Sequence, residues 1–595
     1  MRTIALIAAL ATLLLAACGG GSPASNGATP PAPGTTAISA IQGAGIASPL
    51  AGQTVTIEAI VTGDFQDNDA DAANDLGGFF VQAEMPDGDA STSDGLFVFD
   101  GSTPAVDVNV GDRVRVTGRV QEHFGETQLE AASVTVSGAG TIPPTDIMLP
   151  AAGLVSNSDG EKIANFEMYE GMLVRFPQEL TITDLYRLER YGELRLSQGG
   201  RLFQFTNMNA PDPAGYAAHR DAIAARTVYL DDGRRAANPA PIRYLQQRAG
   251  NTTTDLTGVL RYSRGSGGNG TETWRLMPTS EPVFVNANPR PAAPAIAGSL
   301  RIASFNALNF FSTIDTGASV CGPAAASGCR GADSSDEYQR QLAKTTAALA
   351  MIDADIVGLV ELENNASASL QAIVDALNAI AGAGSYEYIA TGTIGSDAIK
   401  VGLIYRPARV SPQGPFALLT QSVDARFNDD KNRPVLAQSF TAAGSGGTLT
   451  VAVAHLKSKG SNCDDVGDPN ISDGQGNCSR TRTDAAAATA DWLASDPTGS
   501  GDPDFLLLGD LNAYVKEQPL AELTRDGRVN LVAAANGGMA YSFLFDGQAG
   551  ALDHAIASAS LVPQVAAAIE WHINADEAPV HDYNLENSRD PAIFD

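Results

Sequence analysis

The sequence has 595 residues, with 38 Lys and Arg against 68 Asp and Glu, which gives a formal net charge of −30. A chain of this length predicts about two to four domains. Hydrophobic residues make up 44% and charged residues 18%, so the composition allows sizeable cores and excludes a wholly disordered chain. The charge excludes a generic basic nucleic-acid coat, but it is compatible with an enzyme that reaches phosphate through metal ions.

The N-terminus predicts export. The apolar run Ile4–Leu15 is too short to span a bilayer and is typical of a signal peptide. The segment Leu15–Cys18 (LAAC) resembles a bacterial lipobox, which implies removal of residues 1–17 and lipidation of Cys18; an ordinary signal peptide is the alternative. We expect an exported protein that is lipid-anchored at the outer membrane or cell surface, or secreted. Residues 18–38 are rich in Gly, Ser and Pro and predict a flexible tether.

Four further cysteines follow the tether. An even number of cysteines in an exported chain suggests two disulfides. Of the three possible connectivities, local pairing is the simplest, and it would join Cys321 to Cys329 and Cys463 to Cys478. A zinc site is the alternative, although the close Cys spacing of such sites is missing.

Residues 39–140 read as short strands separated by Gly and Asp turns. In Arg113–Val120 valines alternate with arginines, as expected for a strand with one buried face. Five or six such strands predict a small β-barrel or sandwich. The segments that carry a resemblance to the OB-fold module of ExeM/NucH-type extracellular nucleases are VTGDFQ, LGGFFVQ, DGLFVFD and VGDRVRVTGRVQEHFGETQL.

That resemblance implies contact with nucleic acid. Arg113, Arg115 and Arg119 would supply charge, and Phe79 and Phe97 would supply stacking surface. The alternative is that these side chains belong to the solvated and core faces of ordinary strands.

Residues 141–285 predict a β-rich accessory segment without a motif of recognisable chemistry. The Pro- and Ala-rich residues 286–298 predict a linker, and residues 299–595 predict a further domain.

In residues 299–595 apolar strands alternate with helices, and polar residues stand at the strand ends. This pattern predicts a layered α/β sandwich with a polar site on one rim, whose carboxylate and amide oxygens suit Mg²⁺ or Ca²⁺. The strand-end residues are Asn306, Asn309, Glu361, His455, Asp510 and Asn512.

The order of these motifs resembles the endonuclease/exonuclease/phosphatase superfamily, the fold of pancreatic-type deoxyribonuclease. The resemblance implies a four-layer α/β/β/α sandwich (α/β, or α+β) preceded by a β-rich, OB-fold-like domain. It implies that Asn306 supports the metal and phosphate site, that Glu361 binds the metal and that His455 is a general acid/base. Asp510 and Asn512 would orient the nucleophile and the scissile phosphate.

A fifth motif, ALDHAIAS, would supply the carboxylate of Asp553 to catalysis and to the metal. Asn309 and Arg433 are candidates for substrate binding, although pairing with carboxylates is an alternative for Arg433. Asp397 is a candidate to orient His455. Each strand-end residue also has a plain structural interpretation, as a turn, a loop start or a core histidine.

The resemblance favours an extracellular metal-dependent endo- or exodeoxyribonuclease that uses Mg²⁺, or else Ca²⁺ or Mn²⁺. DNA would be its partner, and a lipid anchor its one contact with a membrane. We infer no protein partner and expect a monomer. A surface lipoprotein that binds nucleic acid without efficient cleavage is one alternative, and a phosphodiesterase or phosphatase of the same fold is another.

The superfamily normally ends with a Ser-Asp-His motif, which this sequence lacks. Of its six histidines, His572 and His581 alone lie late enough, and neither has the motif around it. We expect a C-terminal truncation, with true loss of the motif as the alternative, and in either case weak DNA hydrolysis.

Overall fold

The computed structural model describes residues 34–68, 74–587 and 589–593. The predicted signal peptide, Cys18 and most of the tether lie outside these residues. None of the helices in the described ranges is long and apolar enough to cross a membrane.

The first described unit is a closed five-stranded barrel, in which the strands follow the order β1-β2-β3-β5-β4 and β4 closes onto β1. Its elements are α1 (Ile38–Gln42), β1 (Thr54–Phe65), β2 (Gly78–Gln82), β3 (Gly95–Phe99), β4 (Asp112–His123) and β5 (Glu126–Ala139). The alternation predicted for β4 is confirmed, because Val114, Val116 and Val120 are fully buried inside the barrel. The expectation of a β-rich N-terminal domain is therefore correct.

The aromatic side chains of β2 and β3 do not form a free surface. Phe79 is buried in the barrel interior, and Phe97 is buried against the following domain with the Arg261 guanidinium 4.7 Å from its ring centre. Arg113 and Arg115 pair with neighbouring glutamates. The stacking role considered for the two phenylalanines is wrong, because Phe79 belongs to the core of the barrel and the middle domain covers Phe97. The apolar cluster at this junction consists of Phe65, Leu76, Phe80, Phe97, Val259 and Met277.

The middle domain, residues 145–285, is built on a nine-stranded sheet with the order β16-β13-β10-β11-β12-β15-β14-β9-β6 and a separate β7–β8 hairpin. Its strands are β6 (Thr145–Asp146), β7 (Leu154–Ser156), β8 (Lys162–Ala164), β9 (Leu173–Phe176), β10 (Leu180–Asp184), β11 (Leu194–Gln198), β12 (Thr227–Leu230), β13 (Thr252–Thr253), β14 (Leu256–Ser263), β15 (Thr273–Pro278) and β16 (Phe284–Val285). Its helices are α2 (Leu188–Tyr191), α3 (Phe205–Met208) and α4 (Pro213–Arg226).

The C-terminal domain, which begins at β17, contains two main sheets with the orders β17-β18-β20-β19 and β21-β22-β23-β24-β28-β25, and a short β26–β27 hairpin. Its strands are β17 (Ile302–Phe310), β18 (Ile356–Glu363), β19 (Glu387–Tyr388), β20 (Ile399–Tyr405), β21 (Val410–Leu419), β22 (Arg433–Ala442), β23 (Thr448–His455), β24 (Phe505–Asp510), β25 (Val529–Asn530), β26 (Phe543–Phe545), β27 (Gln548–Gly550) and β28 (Asp553–Ala557). Its helices are α5 (Ser335–Ile352), α6 (Ala368–Ala381), α7 (Ser479–Ala494), α8 (Gln518–Leu523) and α9 (Leu531–Asn536).

Three apolar layers hold this domain together. One lies between the two sheets, one between the first sheet and helices α5 and α6, and one between the second sheet and helices α7 and α8. Helix α5 begins as predicted, because the Ser334 side chain accepts a hydrogen bond from the Glu337 backbone N–H. The predicted α/β/β/α sandwich is confirmed.

Both local disulfides are formed, between Cys321 and Cys329 and between Cys463 and Cys478. All four cysteines are buried, and the second disulfide lies directly before helix α7.

Candidate metal centre and active site

The polar residues predicted at the strand ends meet at one edge of the sandwich. His455 and Asp510 are the last residues of the parallel neighbours β23 and β24, and Asp553, the first residue of antiparallel β28, pairs with Asp510. Asn306 and Glu361 lie in the parallel neighbours β17 and β18 of the other sheet. Parallel strands end at a common edge, so the topology itself gathers these side chains.

The backbone at this edge adopts unusual conformations. Leu308, Asn309, Glu361 and Asn512 all have φ between 48° and 61°. Non-glycine residues rarely occupy this left-handed region, and such residues concentrate at functional sites.

Glu361 is held by the neighbouring strand. The Asn306 side-chain amide donates to Glu361 Oε1 at 3.3 Å, and the Asn309 backbone N–H donates to Oε2 at 2.9 Å. The Leu308 backbone N–H donates to Asn306 Oδ1 at 2.9 Å, which orients that amide. Asn309 therefore contacts the site through its backbone; the substrate contact predicted for it stays a prediction.

His455 is almost completely buried, and its two ring nitrogens have different surroundings. Nε2 lies 3.8 Å from Asp510 Oδ2, which is too far for a hydrogen bond, and Nδ1 has no hydrogen-bond partner. Burial, assisted by the charges of Arg433 and Arg330, lowers the pKa of His455 well below its ordinary value. The imidazole is therefore neutral at neutral pH and has a nitrogen able to accept a proton.

The carboxylates at this edge repel one another. Burial and the adjacent Asp553 raise the pKa of Asp510 well above its ordinary value, and Glu361 contributes further. Burial also raises the pKa of Asp553, with the Glu361 charge adding to the effect and the Ser542 hydroxyl opposing it. One Asp510 oxygen, Oδ1, accepts the Asn512 backbone N–H at 2.8 Å. Such crowding of buried carboxylates is relieved when a cation binds between them.

The donor set fits a divalent metal ion. One ligand atom from each of Glu361, His455 and Asp510 lies within 4.8 Å of the other two. Two carboxylates and an imidazole, with the Asp553 carboxylate close enough to raise the pKa of Asp510, make a mainly oxygen-based site of the kind that hard divalent cations occupy.

Arg433 and Asp397 pair with each other. The Arg433 Nε–H donates to Asp397 Oδ2 at 3.0 Å, and Arg330 lies 3.2 Å from Oδ1 of the same carboxylate. Asp397 thus pairs with two arginines, whose charge it offsets only in part, and the described contacts do not include the predicted one with His455. Arg433 acts on His455 through its charge, and its predicted contact with substrate stays a prediction. Arg330 was missed from the sequence because its loop precedes helix α5 and carries no strand-end signal.

The later histidines do not contribute to this cluster. His554 is fully buried, where its Nδ1 lies 2.9 Å from the Asn530 side-chain nitrogen and its Nε2 lies 2.8 Å from a backbone carbonyl. His572 and His581 also point a ring nitrogen at backbone carbonyl oxygens, at 2.8 and 3.3 Å. Their roles in the described structure are those of packing residues.

The segment that leads to Asp553, residues 538–553, is called the Asp553 loop. Two residues that position it were also missed from the sequence. The Ser542 hydroxyl oxygen accepts hydrogen bonds from the backbone N–H groups of Leu552 and Asp553, both at 3.1 Å. The fully buried Asn207 of the middle domain donates to the carbonyls of Gly538 and Ala540, at 2.8 and 2.9 Å. Its Oδ1 accepts the Ala551 backbone N–H at 3.0 Å. The middle domain is therefore part of the framework of the site.

Comparisons with known proteins agree with this geometry. Residues 303–575 match the Endonuclease/Exonuclease/phosphatase family, and the matched range contains all of the strand-end residues described above. No curated protein matches the chain.

Several solved structures are similar to part of the chain. The human Nocturnin catalytic domain with bound sulfate is 15% identical, with a TM-score of 0.28, over 44% of this chain and 84% of that one. A mannosyl-6-phosphatase from Bacteroides thetaiotaomicron is 15% identical, with a TM-score of 0.28, over 44% and 86%. Humanized D. rerio TDP2 is 18% identical, with a TM-score of 0.27, over 44% and 82%.

The family consists generally of phosphodiester and phosphate hydrolases that use divalent metal ions, and the cluster of Glu361, His455 and Asp510 supplies suitable groups for that chemistry. Residues 303–575 are therefore the part of the chain that is similar to the Endonuclease/Exonuclease/phosphatase family.

Proposed function

We propose that this protein is an exported, metal-dependent nuclease that hydrolyses DNA phosphodiester bonds. The observation that supports this most strongly is the convergence of Glu361, His455 and Asp510 at one edge of a family-matched sandwich. Among the family's activities we favour a nuclease of the ExeM/NucH type, because a closed five-stranded barrel lies in the part of the chain where the sequence resembles the OB-fold module of those nucleases.

Glu361 and Asp510 would hold the metal ion, with Asn306 and Asp553 completing the site. Mg²⁺ is our first choice because the donors are mainly oxygen atoms, and Ca²⁺ and Mn²⁺ share that preference. The bound ion would neutralise charge on the scissile phosphate and acidify an attacking water.

The side chains of the site divide the remaining work. Neutral His455 accepts or returns a proton during hydrolysis, which its lowered pKa allows at neutral pH. Asp510 and Asn512 orient the attacking water and the scissile phosphate, with Asp510 itself fixed by the Asn512 backbone N–H. Burial of these groups strengthens their electrostatic interaction with the phosphate.

Cleavage of plasmid DNA by the purified chain tests this proposal. We expect cleavage with Mg²⁺ that EDTA stops, and a fall of at least about 100-fold in His455→Ala, since general acid–base groups contribute about 10²–10⁴-fold. His581→Ala is the matched control, because that histidine contacts only the middle domain among the described hydrogen bonds. DNA binding without cleavage would favour the non-catalytic alternative. Hydrolysis of a phosphomonoester in preference to DNA would favour a phosphatase.

We also propose that the protein acts outside the cytoplasm, anchored through lipid on Cys18, as a monomer on extracellular DNA. Two buried disulfides support an oxidising compartment. Metabolic labelling with a radioactive fatty acid tests the anchor, because the label should enter the wild-type protein and not Cys18→Ser. Equal labelling of both proteins would contradict the proposal.

A further inference from the structure

The β26–β27 hairpin exposes two phenylalanine rings on one face. Phe543 and Phe545 are 48% and 64% exposed, whereas Leu544 between them packs against the core of the middle domain. Successive side chains of a strand point to opposite faces, so burying Leu544 forces both rings outward. Large apolar side chains so exposed, side by side, indicate a binding surface.

The middle domain fixes the hairpin in place. Gln204 donates from its side-chain amide to the Phe545 carbonyl at 2.9 Å, and Arg195 forms an ion pair with Asp546 at 2.9 Å. The Thr183 hydroxyl donates to the Gly547 carbonyl. A ligand that stacks on the rings therefore meets a surface whose backbone is already ordered, which reduces the entropic cost of binding.

The hairpin begins next to a residue that contacts the backbone of the proposed active site. Phe543 directly follows Ser542, whose hydroxyl holds the backbone of Leu552 and Asp553. Neighbouring Cα atoms are about 3.8 Å apart, so the first ring is attached one residue from a group that touches the Asp553 backbone. A ligand with a phosphate at the site and a flat group beside it could contact both.

The spacing of the rings suits a nucleobase. Residues i and i+2 of a strand are about 7 Å apart, roughly twice the 3.4 Å between stacked bases, which leaves room for one base between them. The phenylalanines of the barrel that could have stacked bases, Phe79 and Phe97, are buried. Stacking on aromatic side chains is the usual way in which proteins hold unpaired bases.

We propose that Phe543 and Phe545 form a stacking subsite for an unpaired nucleobase of the strand whose phosphodiester occupies the active site. This inference rests on the proposed nuclease function and extends it to a preference for single-stranded or frayed DNA.

Binding of a fluorescent 12-nucleotide oligothymidylate tests the subsite, measured by anisotropy in EDTA so that no cleavage occurs. We expect Phe543→Ala/Phe545→Ala to bind about tenfold or more weakly, since stacking supplies a substantial part of single-strand affinity. The control is Phe124→Ala, because Phe124 lies between strands β4 and β5 of the barrel and is as exposed as Phe543. This variant should bind oligothymidylate as the wild type does. Phe543→Tyr/Phe545→Tyr should also retain affinity, because it keeps both rings.

An abasic oligonucleotide of the same length separates base contacts from phosphate contacts. The wild type should bind it as weakly as the double alanine variant binds oligothymidylate. Equal affinity of wild type and double alanine variant for oligothymidylate would overturn the subsite, as would undiminished affinity of the wild type for the abasic strand. Base-dependent binding by a chain that cleaves no DNA would support the subsite and overturn the nuclease function, so the two failures are distinguishable.

Discussion

Replacing Asn207 by alanine should destabilise the protein strongly, although this residue lies outside the hydrolase domain. Its side chain makes three hydrogen bonds to the backbone of residues 538–551 and is fully buried. Truncation would leave two carbonyl oxygens and one N–H without partners, and two of these groups, the Ala540 carbonyl and the Ala551 N–H, are in buried hydrogen bonds. A hydrogen bond contributes about 1 kcal/mol net, and a buried group left unsatisfied costs about 1–3 kcal/mol, so we expect a loss of about 3–5 kcal/mol in unfolding free energy.

Urea unfolding of the wild type and of Asn207→Ala measures this loss directly. Asn209→Ala is the matched control, because Asn209 is exposed and makes a single local hydrogen bond, so it should change stability by less than about 0.5 kcal/mol. Hydrogen exchange should accelerate first in residues 538–551. A loss below about 1 kcal/mol, or one equal to that of the control, would refute the conclusion that the middle domain holds the Asp553 loop.

Three further predictions concern stability. Burial, and then the charge of a neighbouring glutamate, raises the pKa of Glu167 to about 7, so the folded protein keeps this proton and loses stability as pH rises from about 4.5 to 7. Glu167→Gln should reduce this loss by about 1–3 kcal/mol, measured as the difference in the free energy of urea unfolding between pH 5 and pH 8. An unchanged difference would contradict the prediction. Cys463→Ser/Cys478→Ser should lower the unfolding free energy by about 3 kcal/mol, because the disulfide closes a loop of 15 residues; a wild-type melting temperature in the variant would be the contrary result. Gly509→Ala should cost about 3 kcal/mol or more, because φ is 129° and the added Cβ would lie 2.0 Å from a carbonyl oxygen of strand β23; a soluble variant with wild-type stability would disprove that conflict.

The sequence predicted the C-terminal sandwich well because its signals are local. The apolar runs that end at Glu361, His455 and Asp510 are buried strands, and strand ends fix the positions of side chains without knowledge of distant contacts. The N-terminal cap of helix α5 is also a local signal, because Ser334 and its partner Glu337 are three residues apart.

The sequence could not predict which faces other domains cover. Phe79 and Phe97 stand in strands whose alternation fits either a stacking surface or a core, and only the packing of the middle domain excludes the former for Phe97. The contact of Asn207 with the Asp553 loop could not be predicted for the same reason, since its partners lie more than 330 residues away along the chain. The pairing of Arg433 with Asp397 also depends on a tertiary contact.

The hydrogen bonds from the middle domain to the Asp553 loop have a consequence for biosynthesis. The ribosome completes residues 145–285 first, and about 250 residues later it makes the loop at 537–551. At about 5–20 residues per second this interval lasts on the order of 10–50 s, long enough for an N-terminal domain to fold while the rest is being made. The loop is therefore synthesised when the surface that holds it has already folded. The edge that carries the proposed active site is then completed by packing against a preformed domain.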